Sequence, residues 1–200
     1  MSLLLQRTEF GNPANVGRIW TKEQCNALLQ EWVLNPKLRQ HMDQVGHLME
    51  QWAIQKEGAN EATASAWYMA GVLHDADWDQ WPDQHCKKII EYLEGQEIDP
   101  TVIRAIASHG PRHFGVMPQS RMDQMLYALD ELSGLIHAYS LLRPQGYTGM
   151  EVSGVKKRLK EKTFAANVSR EEIDEACSIA NLTKEELIEF IVQELTSMNQ

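Results

Sequence analysis

The sequence predicts an all-α protein. Apolar residues recur at three- and four-residue spacing almost throughout, helix-start signals precede most of these runs, and neither a useful alternating strand pattern nor a Gly-rich phosphate loop interrupts them. The 200 residues, 43% hydrophobic and 24% charged with 12 Gly and 7 Pro, suit one packed domain with or without a small appendage. That composition excludes disordered and collagen-like classes.

Thr21 and Gln24 have the form of a capping box, and Leu28, Leu29, Trp32 and Val33 follow at helical spacing until Asn35-Pro36. Pro36 suits the first position of a second helix, whose stripe of Leu38, Val45, Leu48, Met49 and Trp52 ends before Gly58. Asn60 caps a third helix through about Leu73. Asp79 to Asp83 reads as a turn, followed by a short helix carrying Ile89, Ile90 and Leu93. Asp99-Pro100 opens another, with Val102, Ile103 and Ile106, stopped by Gly110-Pro111. Residues 110–119 have no period and are expected to form a loop. Ser120 then caps the strongest helix, lined by Met122, Met125, Leu126, Leu129, Leu132, Ile136 and Tyr139.

Beyond Arg143-Pro144-Gln145-Gly146 comes a basic run from Lys156 to Lys162, then two further capping boxes, Ser169 with Glu172 and Thr183 with Glu186. Stripes of Ile173, Ala176, Cys177 and Ala180, and of Leu187, Phe190, Ile191 and Leu195, make a helical hairpin. Two short amphipathic helices bury too little alone, so residues 152–200 are expected to be a helical extension packed on a core of residues 1–151.

With 28 acidic against 19 basic residues the formal charge is −9, which disfavours nucleic acid as a partner. Cys25, Cys86 and Cys177 are odd in number and widely separated, so no disulfide framework or structural zinc site is expected and a reducing cytoplasm fits. The N-terminus carries no basic targeting region, and no stretch approaches the ~18 apolar residues of a membrane span. No membrane partner is expected.

Six of the seven histidines fall between His41 and His113. At about 100° per residue, His41 lies on the apolar face of its helix, whereas His47 is rotated about 120° away. His74 and Asp75 follow the apolar run Met69-Ala70-Gly71-Val72-Leu73, which leads into an interior where a carboxylate needs a cation or donors. Asp130 lies on the shoulder of its stripe, about 110° from the centre, and Glu131 nearly opposite it, so Asp130 is the better ligand and Glu131 the better solvent-facing residue. Imidazole with carboxylate suits divalent Zn, Mn, Fe, Co or Ni, and one carboxylate can bridge two ions.

The ordered set His41, His74-Asp75, His85, His109 and Asp130 resembles the HD-domain superfamily of metal-dependent phosphohydrolases, in particular its HDIG-type bacterial members. The likeness extends to Leu38-Arg39-Gln40-His41, to residues 67–77, to Ile106-Ala107-Ser108-His109 and to residues 126–134, and in the tail to Val155-Lys156-Lys157-Arg158-Leu159 and residues 164–171. It implies an HD-domain helical bundle with a C-terminal helical extension. It also implies a metal site built from His41, His74, Asp75, His85, His109 and Asp130. Because both intermediate histidines are present, two divalent ions are expected, drawn from Mn, Fe, Co, Ni, Zn or Mg, with His85 and His109 on the second and Asp75 bridging.

The implied reaction is attack of metal-activated water on the phosphate ester of a small metabolite or nucleotide. Asp77 is expected to orient the water or act as base, or else to support the site from behind. His85 is the weak member, since Asp79, Asp83 and Gln84 make its neighbourhood polar. His113 is expected in solvent, and His137 beside the site or in plain packing. Lys88, Arg112, Arg121 and Arg143 are candidate phosphate contacts by proximity to the motifs. Trp67, Tyr68, Trp78 and Trp81 bracket the His-Asp pair and are expected to pack beneath it, with base stacking the other reading. Two other functions share this motif set: a di-iron oxygenase, and a non-catalytic regulatory domain, which the six filled positions disfavour.

Overall fold

The computed structural model describes residues 4–11 and 17–198. Met1 to Leu3, the start of the N-terminus read as lacking a targeting signal, and the last two residues of the 152–200 segment lie outside these. The described residues form α1 (Lys22–Trp32), α2 (Pro36–Glu57), α3 (Glu61–Leu73), α4 (Lys87–Gly95), α5 (Pro100–Ala107), α6 (Pro111–Phe114), α7 (Arg121–Ser140), α8 (Val152–Lys160), α9 (Arg170–Ala180) and α10 (Lys184–Met198). No strand occurs among them; one isolated bridge pairs Arg18 with Ile98. The fold is all-α, and among the described residues no helix is long and apolar enough to cross a membrane.

The helix starts follow from side-chain oxygens that satisfy first-turn amides. Thr21 and Gln24 form a reciprocal capping box, while Asn35, Asn60 and Asp99 accept from the amides of Lys37, Thr63 and Thr101. At the other end of α2, Gly58 adopts a left-handed conformation, φ 67°. Residues 110–119 are not all loop. Pro111–Phe114 closes one helical turn, too short to show a period in the sequence.

The chain divides into two compact units, Met1–Tyr127 and Ala128–Gln200, and α7 begins in the first and continues into the second. In the first unit α3 packs against α1, α2 and α5. Its residues from Ala66 to Leu73 are all buried, as expected of a helix that is apolar on every side. The α2–α3 contact is close enough to need glycine: a Cβ on Gly71 would lie 2.7 Å from the Val45 carbonyl oxygen and 2.9 Å from Gly46 Cα.

After α3 the chain turns tightly, with Ala76 N–H donating to the Leu73 carbonyl, Trp78 N–H to Asp75 and Trp81 N–H to Asp77. This turn is clasped to the end of α1. The Asp79 carboxylate accepts from the amides of Leu34 and Asn35 at 2.7 and 2.9 Å, Gln80 donates to the carbonyls of Glu31 and Trp32, and Trp32 meets Trp81 edge-on at 4.8 Å. A second anchor joins α5 to the start of α7, where buried Asp123 pairs with Arg104 and accepts from the amides of Gln119 and Ser120.

In the second unit α8 packs against α10. Of the basic run, Lys156 pairs with Glu185, and Arg158 covers the rings of Tyr139 and Phe164. Arg170 gathers the carbonyls of Phe164, Ala165 and Val168, fixing the segment between α8 and α9. Two expectations change here. Glu131 is only partly exposed and accepts from the Ser169 amide at 3.2 Å, because the chain after α8 passes over that face of α7. Ser169 therefore forms only half of its box: its hydroxyl accepts from Glu172 N–H, while its own amide is taken by Glu131. At Thr183 the box is complete.

Candidate metal centre

The first unit brings five of the singled-out groups together where α3 ends. His41 projects from α2, His74 caps α3, Asp75 follows it, His85 lies in the loop between the Pro82–Gln84 turn and α4, and His109 follows α5. Their imidazoles form a chain, with ring centroids 5.4 Å apart for His41 and His74, 5.1 Å for His74 and His109, and 5.3 Å for His85 and His109. Asp75, His85 and His109 each offer a ligand atom, all within 4.8 Å of one another.

The hydrogen bonds fix which nitrogen each ring presents. His74 Nδ1 contacts the Gly71 carbonyl oxygen at 2.7 Å, His109 Nδ1 the Ile106 carbonyl oxygen at 2.6 Å, and His85 Nδ1 the Asp77 carboxylate at 2.6 Å. Each partner can only accept, so each Nδ1 carries the proton and each neutral ring turns an Nε2 lone pair forward. Those Nε2 atoms face Asp75. Its Oδ2 lies 3.5 Å from His74, and its Oδ1 lies 3.2 Å from His85 and 3.5 Å from His109.

Facing lone pairs repel unless a cation sits among them. A proton serves one imidazole at a time; a divalent ion serves two imidazoles and a carboxylate oxygen together. The donor set therefore fits a metal. The two Asp75 oxygens also divide the histidines between them, the arrangement a bridging carboxylate requires. Were those rings protonated on Nε2 as well, burial would still raise the Asp75 carboxyl, but the charge of His74 and hydrogen bonding with His109 and His74 would hold it well below the usual carboxylate range.

His85 is 6% exposed, not swung outward. Among its polar neighbours Asp83 and Gln84 face solvent, whereas Asp77 is fully buried and holds the ring from behind. The second Asp77 oxygen accepts from Ile89 N–H at 2.9 Å, so both its oxygens are engaged in positioning. Asp77→Asn puts an amide donor against one of two N–H groups and is expected to weaken metal binding at Asp75, His85 and His109 about 10- to 100-fold. Calorimetric metal titration of the folded variant checks this.

Phe114, which the sequence offered no reason to single out, packs its ring 5.2 Å from His85 and 5.1 Å from His109. The one-turn helix α6 delivers it, the Leu5 amide donates to its carbonyl, and a Cβ on Gly110 would meet its ring at 2.7 Å. Only the Gly-Pro pair that opens α6 hinted at such a feature.

The other candidates differ in exposure and in partners. Trp67 and Tyr68 are buried and Trp81 is partly so, but Trp78 is 49% exposed with its ring 4.9 Å from His85. Arg121 is committed to Glu57, and Arg143 to the carbonyls of Gly146 and Thr148. Both were candidates for phosphate contact by sequence proximity alone. Lys88 is partly buried at the start of α4, and Arg112 and His113 are exposed on α6. In the second unit, Asp130 is partly buried on α7, and His137 Nδ1 contacts the Tyr147 hydroxyl at 2.6 Å.

Residues 38–135 match the HD domain family. The chain carries an HD domain. That domain, an all-helical fold whose members are mostly metal-dependent hydrolases binding divalent ions, includes His41, His74, Asp75, His85, His109 and Asp130. No curated protein and no solved structure matches the chain.

Proposed function

We propose that this HD domain is a metal-dependent phosphohydrolase of the HDIG type acting on a phosphate ester of a small metabolite. Under this reading His41, His74 and Asp130 hold one divalent ion, His85 and His109 a second, and Asp75 bridges them. The observation that carries it is the division of the Asp75 oxygens, Oδ2 toward His74 and Oδ1 toward His85 and His109.

Ions held there would acidify water and offset the charge that develops on the phosphoryl oxygens. The chain's own residues prepare the place. Gly71, Ile106 and Asp77 fix the tautomers of three histidines, so no ring has to reorient when a ligand arrives. Phe114 fills the space beside His85 and His109 and excludes water from that side. Asp77 acts as a positioning carboxylate, not as the base, because both its oxygens are engaged. Asp75 takes a charge-balancing role, and Lys88 and Arg112 are cations three residues in sequence from His85 and His109.

The test is phosphate release from a panel of phosphorylated metabolites by protein loaded in turn with Mn, Fe, Co, Ni, Zn and Mg. Metal-dependent release that disappears with a chelator and returns on reloading is expected. Two bound irons, dioxygen consumption and no phosphate release would instead place the protein among the oxygenases that share this ligand pattern.

A further inference from the structure

We infer that Trp78 is a stacking platform, and that the ester this HD domain takes carries a planar aromatic group beside its phosphate. The inference deepens the phosphohydrolase reading and rests on it. Trp78 sits three residues beyond Asp75, and its ring centroid is 4.9 Å from that of His85 with the planes at 86°. The indole thus stands against one of the proposed metal ligands. A phosphoryl group among those ligands would lie within reach of the indole for the next part of its ester.

Two features separate this tryptophan from an ordinary surface residue. It is 49% exposed, whereas its neighbours Ala76 and Asp77 are fully buried, so an indole that would gain from burial is left toward solvent at the site. Its backbone is also held rigidly. Trp78 N–H donates to the Asp75 carbonyl at 3.0 Å, and the following Asp79 and Gln80 are bonded to the main chain at residues 31–35. A fixed aromatic face costs little ordering when a flat partner lies against it. The chemistry recognised is a planar π-system, either a nucleobase or a simple aryl ring; an aliphatic ester has no face to offer.

The experiment measures equilibrium binding of three probes to metal-loaded wild type, Trp78→Ala and Trp78→Phe: adenosine 5′-monophosphate, phenyl phosphate and glycerol 3-phosphate. Trp78→Ala should weaken the two aromatic probes about tenfold, within the range that base–aromatic stacking supplies. Trp78→Phe should restore most of that loss, and metal content and glycerol 3-phosphate affinity should not change. Weakening of adenosine 5′-monophosphate alone identifies the partner as a nucleobase; equal weakening of both identifies any aryl ring. Equal loss for all three probes, no loss for any, or no measurable binding of either aromatic probe to wild type overturns the inference. Failure of the hydrolase reading is visible separately, as Trp78-dependent binding without phosphate release.

Discussion

Asp75→Asn is expected to lower phosphate-ester hydrolysis at least about a thousandfold, equivalent to roughly 4 kcal/mol of transition-state stabilisation. The side chain keeps its size but loses the charge that two ions would share, and one of its two acceptor oxygens becomes an amide nitrogen. That nitrogen must face either His74, or His85 and His109, whichever side it takes. Steady-state kinetics with metal analysis of the same preparation checks the prediction. Loss of rate together with loss of bound metal is the expected pairing; a variant with full activity would remove Asp75 from the site.

The second large effect is on stability. Gly71→Ala adds one methyl group where three α2 backbone atoms, Val45 O, Val45 C and Gly46 Cα, stand 2.7–2.9 Å away. Main chain cannot rotate aside as a side chain does, so α2 and α3 must separate. Overpacking of this kind costs up to about 3 kcal/mol, and the better helix propensity of alanine returns about 1 kcal/mol. A net loss of about 2 kcal/mol should lower the melting temperature by roughly 5 °C. Because His41 rides on α2 and His74 ends α3, metal affinity should fall as well. Gly95→Ala, where an added Cβ meets nothing within 4 Å, is the matched control and should leave both properties near wild type.

What the sequence made legible is local or periodic. Thr21, Asn60 and Asp99 announce their helices because a capping oxygen acts within three residues. The His-Asp pair is legible because an apolar run that leads into the interior must end on something able to hold charge there. What escaped depends on contacts between segments distant in sequence. Phe114 reaches the histidines through a helix of one turn. His85 was the weak member because the buried partner that positions it, Asp77, lies eight residues back across a turn. Glu131 looked solvent-facing because the segment that covers it comes 38 residues later. Arg121 and Arg143 are near the motifs in sequence, yet their guanidinium groups satisfy Glu57 and a turn.

Metal stoichiometry tests the central claim most directly. Elemental analysis and metal titration would be run on wild-type protein purified without chelator and on His85→Ala and His109→Ala. Two ions per wild-type chain, falling to one in each variant while the fold is retained, is the predicted result. Wild-type protein that binds no divalent ion, or variants that both keep the wild-type stoichiometry, would contradict it.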